Sequence, residues 1–181
     1  MRFLTPKQCA AWSSKRGYPL KQYEGRVLGP DPCLTYPKFH FVEFPSPEES
    51  GRKVWLARLL YSFLEHSPEV LIWVNDWGVW EEHMPLFARF RQAFGESRHL
   101  IDAPGHIVRP DEIDDGISVF VIACLFLWDC HVLSASGRDA LFTSHDEYGW
   151  FASRDMSLTR SIRKRLVQGK LKLRNCRKHP A

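Results

Sequence analysis

An uncharged run of twelve residues, Ile117–Trp128, limits what this chain can fold into more than any other feature of its sequence. Asp115 and Asp129 bound the run, and twelve residues are too few to cross a bilayer as a helix, which takes about 20. We therefore expect the run to lie in a protein core and expect no membrane association.

Periodicity cannot decide whether residues 111–126 form a helix or a strand, because a fully buried segment shows neither pattern. The length of the segment exceeds a normal strand, and the acidic residues at its start suit the N-terminus of a helix. A helix is our preferred prediction, with a strand as the alternative. The following residues predict a hairpin with strands near 130–134 and 140–144.

A strand, a helix and a second strand are predicted over 39–44, 47–66 and 70–74. The second strand, VLIWV, is apolar on both faces, which is typical of a βαβ unit with parallel strands. We predict a single α/β domain with a mixed sheet of about four to five strands and packed helices. The alternative is an α+β arrangement in which the hairpin of residues 130–144 pairs antiparallel at a sheet edge.

Further elements follow from capping and breaker residues. Helices are predicted over about 5–17 and 84–95, and irregular connections over 19–37 and 101–110. A length of 181 residues suits one domain. We assign residues 1–152 to that domain and treat residues 153–181 as a basic helix and tail appended to it.

The net charge of +4 conceals an uneven distribution. Residues 151–181 contain ten Lys or Arg and one acid, which gives +9 and leaves −5 for the rest of the chain. The basic helix therefore predicts either a solvated face or a weak polyanion contact. The side chains for such a contact are Arg160, Arg163, Lys164 and Arg165.

Five cysteines without a CxxC pair, and no leader-like segment at the first residues, predict a cytoplasmic protein. The sequence contains neither a nucleophile elbow nor a glycine-rich phosphate loop. We accordingly expect no cofactor and favour binding over catalysis.

The loop NDWGVWEEH (75–83) follows the strand VLIWV and combines aromatic with acidic side chains. Tryptophan is enriched in protein interfaces, and carboxylates steer a basic partner. The loop predicts a partner-binding surface, and the alternative is that the tryptophans belong to the core. Its candidate residues are Asp76, Trp77, Trp80, Glu81 and Glu82.

The segment SHDEYGWF places His145, Asp146 and Glu147 where the chain leaves a strand. Asp146 and Glu147 are further candidates for partner binding, or one of them caps the next segment. The same three residues, with a distant histidine such as His106 or His131, could instead bind a metal. A metal-dependent hydrolase is therefore an alternative function.

The stretches VLIWVNDWGVW, DDGISVFVIACLFLWDCHV and SHDEYGWF resemble small bacterial α/β proteins of unassigned function, some of the toxin-immunity type. The resemblance covers residues 39–151 and brings no catalytic residues. It implies a non-catalytic binding protein that presents an acidic, tryptophan-rich surface to a protein partner, as an immunity-type inhibitor does. A nucleic-acid-associated protein that uses the basic C-terminal tail is the remaining alternative.

Overall fold

The computed structural model describes residues 1–23, 26–30, 39–77 and 81–173. The strands are β1 (Arg2–Leu4), β2 (Leu20–Tyr23), β3 (Arg26–Pro30), β4 (His40–Pro45), β5 (Val70–Asp76), β6 (Gly105–Val108), β7 (Asp129–Ser134), β8 (Asp139–Thr143) and β9 (Tyr148–Ser153). Seven of them form one sheet in the order β1-β6-β5-β7-β8-β9-β4, and β2 and β3 form a separate hairpin. All neighbouring strands in both sheets are antiparallel.

Helices lie between the strands of the chain and after the last of them. They are α1 (Pro6–Lys15), α2 (Ser50–Ser62), α3 (Met84–Gln92), α4 (Ile113–Leu125) and α5 (Met156–Gln168), with short 3-10 helices at Glu81–His83 and Pro110–Glu112. The start of α1 shows why the sequence forms a helix there. Thr5 Oγ1 accepts a hydrogen bond from the Gln8 N–H, and Gln8 Oε1 accepts one from the Thr5 N–H. This capping box satisfies two backbone donors that the first turn would otherwise leave without partners.

The large sheet separates two hydrophobic cores, because successive strand residues point to opposite faces. Ile72 and Val132 pack with α2, α4 and α5 in the main core. Leu71 and Leu133 pack with α1 in the second core, on the other face. The hairpin of β2 and β3 also contacts α1. Helices therefore cover one face fully, and one helix with the hairpin covers the other.

The predicted class is confirmed, since helices pack against one sheet in a domain of mixed α and β structure. The predicted number of strands, four to five, is wrong, and so is the parallel pairing of the strands that flank α2. β4 and β5 do point in the same direction, but β7, β8 and β9 lie between them. The local strand-helix-strand pattern correctly predicts that the two strands run in the same direction. It does not predict which strands lie next to them, because those come from distant parts of the chain.

The helix predicted over 111–126 is confirmed as α4, and the hairpin of residues 130–144 is confirmed as β7 and β8. The connections predicted to be irregular contain strands: β6 lies within 101–110, and the β2–β3 hairpin lies within 19–37. Residues 24–25 and 31–38 of that second connection are outside the described residues. β6 has only four residues and begins at a glycine, so no alternating pattern could identify it.

The basic helix α5 packs its apolar stripe on the main core. Ile162 and Leu166 are fully buried there, and Leu158 packs beside them. Leu171, beyond the end of α5, is also buried in this core. Within residues 1–23, 26–30, 39–77 and 81–173, no helix has the length and apolar content needed to cross a membrane.

Candidate functional site

Both loops that the sequence analysis selected lie at one edge of the large sheet. β5 ends at Asp76, β7 begins at Asp129, and β9 begins at Tyr148 next to the end of β8. Because these neighbouring strands are antiparallel, the end of one strand lies beside the start of the next. The loop that follows Asp76 and the turn over residues 144–147 therefore emerge side by side.

Two carboxylates face each other across this edge. Asp76 and Asp129 are cross-strand partners at the end of the β5–β7 ladder, next to an irregularity in its register. Like charges directly opposite each other destabilise a sheet unless a cation lies between them. His145 supplies that cation when it is protonated, because one of its ring nitrogens and a carboxylate oxygen from each aspartate all lie within 4.8 Å of one another.

His145 is held in this position by Asp129. Oδ1 of Asp129 accepts hydrogen bonds from the backbone N–H of His145 at 2.8 Å and from its ring Nδ1 at 2.9 Å. The turn that carries His145 closes through Glu147, which adopts a left-handed conformation with φ of 59° and whose N–H donates to the carbonyl of Ser144. Left-handed backbone is uncommon outside glycine, so tertiary contacts must maintain it. One such contact is the hydrogen bond from the Ser46 N–H to the Glu147 carbonyl.

The pKa of His145 lies above its ordinary value of 6.5. The main cause is the hydrogen bond to Asp129, and the negative charges of Asp129, Asp146 and Asp76 act in the same direction. A raised histidine pKa means that the folded state holds the proton more tightly than the unfolded state. The interaction therefore stabilises the fold fully below the unfolded pKa of histidine and is lost as the pH rises through the folded pKa.

We expect Asp129→Asn to lower the pKa of His145 toward its ordinary value, because the substitution removes both the hydrogen-bonded anion and its charge. Asp76→Asn should produce a smaller shift in the same direction, since Asp76 acts through charge alone. NMR titration of the His145 imidazole measures both shifts. Equal imidazole titration curves for the native protein and the Asp129→Asn variant would contradict this arrangement.

More carboxylates surround this pair. Asp146 and Glu147 are exposed in the turn after β8, and Asp146 Oδ1 lies 3.6 Å from Nε2 of His145. Glu82 is also exposed, on the 3-10 helix that follows β5. The last residue of that helix, His83, stacks its ring on Phe126, with 3.8 Å between the ring centroids. Phe126 lies just before β7, so the 3-10 helix is at the same edge of the sheet. We call the set Asp76, Glu82, Asp129, Asp146 and Glu147 the acidic edge.

Trp77 is the tryptophan of the loop that the structure describes, and it is not freely exposed. Trp77 is half-buried and packs against the main core. Trp80 lies outside the described residues, and Glu81 is described only as the first residue of its 3-10 helix. The described part of the predicted surface is therefore mainly acidic.

The group that could hold a metal differs from the predicted one. Asp76, Asp129 and His145 offer three ligand atoms close together, whereas the predicted Asp146 and Glu147 are not part of this cluster. His106 and His131, the predicted distant ligands, are buried elsewhere: His106 lies between Phe3 and Phe87, and His131 hydrogen bonds to Asn75. Burial lowers the pKa of each to about 3, so both are neutral core side chains at ordinary pH.

Asp129 was not predicted as a site residue, because in the sequence it marks only the end of the apolar run. Its role depends on the antiparallel pairing of β7 with both β5 and β8, which brings Asp76 and His145 to it from 53 residues upstream and 16 residues downstream. A carboxylate that directly follows a buried run is the only local signal.

Comparisons of the chain with protein-family models, with curated proteins and with solved structures give no match.

Proposed function

We propose that this chain is a non-catalytic, cytoplasmic binding protein whose acidic edge recognises a basic surface of a protein partner. The observation that carries the proposal is the opposed pair Asp76 and Asp129, which can each place a carboxylate oxygen within 4.8 Å of the other and of a ring nitrogen of His145. Without the positive charge of protonated His145, two opposed carboxylates destabilise the sheet, and local conflicts of this kind are typical of functional positions. A lysine or arginine of a partner would supply further positive charge to the same carboxylates.

The exposed carboxylates of the acidic edge are better placed to attract and orient a basic partner than to bury a large contact area. Asp146, Glu147 and Glu82 are exposed and project from two adjacent loops, so they can attract a basic surface before contact. Asp129 is more enclosed, with an exposed side-chain fraction of 21% against 70% for Asp146. A cation that reaches Asp129 would be partly desolvated, which strengthens its ion pair. In keeping with the resemblance to toxin-immunity proteins, we propose that binding neutralises the partner.

A metal-dependent hydrolase is the second candidate, because Asp76, Asp129 and His145 could bind Zn²⁺ or Mn²⁺ and leave a coordination position for water. A histidine must be deprotonated to bind a metal. The hydrogen bond to Asp129 raises the pKa of His145 and so opposes that step near neutral pH. This competition makes the binding proposal the stronger one.

We expect the double substitution Asp146→Asn, Glu147→Gln to weaken binding of the partner about tenfold at about 0.15 M salt, because it removes two steering charges. The partner is first isolated from the source cell on immobilised native protein and purified. Calorimetry of the purified pair then gives the affinities. The fold should be unaffected, since both side chains are exposed.

The matched control is Glu65→Gln, Asp114→Asn, which removes the same charge from exposed positions beyond the opposite edge of the sheet. It should leave the affinity within about twofold, a difference of about 0.4 kcal/mol. Equal affinities of the acidic-edge variant and the native protein would argue against the proposal. Stoichiometric zinc or manganese in the purified protein, lost on His145→Ala, would favour the hydrolase instead.

A further inference from the structure

The outer surface of two neighbouring helices, α2 and α5, contains basic side chains and no acidic ones. α2 contains three Lys or Arg and α5 contains four, and neither helix contains Asp or Glu. Both pack on the main core, so their other faces point to solvent on the same side of the sheet. In the sequence, the excess of basic residues is apparent only over α5 and the tail. The structure adds α2 to the same surface.

Two contacts hold the helices together at one end. Nη2 of Arg52, in the first turn of α2, donates a hydrogen bond of 2.8 Å to the carbonyl of Gly169, the residue after α5. The ring of Trp55 lies so close to Gly169 that a side chain at that position would collide with it. Trp55 nevertheless keeps 37% of its surface exposed. An aromatic ring therefore lies at the solvent boundary between the two helices.

The exposed cations of this surface have no ion-pair partner in the described part of the chain. Two acids flank these helices: Asp155 caps α5 by accepting hydrogen bonds from Ser157, and Glu49 directly precedes α2. We call this surface the basic face, and its residues are Trp55, Arg58, Arg160, Arg163, Lys164 and Lys170.

We propose that the basic face binds single-stranded nucleic acid, with its cations on the phosphates and Trp55 stacked on a base. Rows of unpaired Lys and Arg attract a phosphate backbone, and an exposed aromatic ring among them adds sequence-tolerant stacking. An anionic membrane offers the same charge but needs an apolar helix face to insert. In α5 that face is occupied, because Ile162 and Leu166 are buried in the protein's own core.

The test uses the full chain and a fluorescein-labelled oligothymidylate of about 20 nucleotides, followed by fluorescence anisotropy at several salt concentrations. Arg160→Gln, Lys164→Gln should weaken binding about tenfold and reduce the slope of log K against log salt by about 1.4, or 0.7 per lost phosphate contact. The control Lys7→Gln, Arg89→Gln removes two exposed cations from α1 and α3. It should change the affinity less than about threefold.

Trp55→Ala tests the stacking contribution separately. We expect about fivefold or weaker binding with an unchanged salt slope, and recovery of most of the affinity in Trp55→Phe. Thermal unfolding followed by circular dichroism establishes that each variant is folded. Unchanged oligonucleotide affinity in the charge variant or in Trp55→Ala would overturn the proposal. Binding to phosphatidylserine vesicles without binding to the oligonucleotide would overturn it in favour of a membrane surface.

These variants do not overlap with those of the acidic edge, so the two proposals can fail independently.

Discussion

Replacing Trp128 with alanine should lower the free energy of unfolding by about 3–5 kcal/mol, the usual loss when a large buried aromatic side chain is truncated. Trp128 is completely buried between the end of α4 and the start of β7. Its ring packs edge-on against Phe87, with 5.1 Å between the ring centroids, and against Phe126, with 5.6 Å between the centroids. It thus joins α3 to the central strands.

Urea denaturation of the native protein and the variant measures this loss. The urea concentration at the midpoint of unfolding should fall, while the dependence of the unfolding free energy on urea concentration stays the same. Leu86→Ala is the control, because Leu86 belongs to the same helix as Phe87 but is 65% exposed. It should change the stability by less than about 0.5 kcal/mol. A loss below about 1 kcal/mol for Trp128→Ala would mean that the core around α3 repacks freely.

Replacing Arg91 with methionine should lower the free energy of unfolding by about 2–3 kcal/mol, because a buried carbonyl group and a partly buried one lose a charged donor, and a buried unsatisfied group costs about 1–3 kcal/mol. Arg91 is 2% exposed, and its guanidinium donates to the carbonyls of Arg98 at 3.2 Å and Ala103 at 2.6 Å. These bonds hold the connection between α3 and β6. Methionine preserves length and apolar contact but provides no donor.

Arg89→Met is the matched control, on the same helix and exposed. Denaturation should show no measurable loss for Arg89→Met and an intermediate one for Arg91→Lys, whose ammonium lacks the planar fork of the guanidinium. Hydrogen exchange should be faster between residues 96 and 104 in Arg91→Met. Native-like protection of that segment would show that other contacts order it.

The helices were predictable from sequence because their signals are local. Thr5 and Pro6 mark the start of α1, and the spacing of Ile162 and Leu166 gives the buried stripe of α5. The strand neighbours were not predictable, because pairing joins segments far apart in the chain. A buried strand such as β5 has the same apolar sequence whether its neighbours run parallel or antiparallel to it.

The candidate site was predictable only where its signals are local. Asp76, Asp146 and Glu147 were recognisable as acids beside strand ends, and they do lie at one edge. The partner of His145 was not recognisable, because Asp129 comes from a third strand. The half-buried position of Trp77 was also beyond local reasoning, since the main core that it contacts is assembled from several helices and strands.

The two outermost strands of the large sheet have a consequence for folding during synthesis. β1 pairs with β6 and β4 pairs with β9, and the partners in each pair are more than 100 residues apart along the chain. The N-terminal 45 residues leave the ribosome long before either partner has been made. Until then β1 and β4 have unpaired backbone groups that can pair with other chains. Completion of the sheet is thus a late, slow and aggregation-sensitive step that depends on the last strand made, β9.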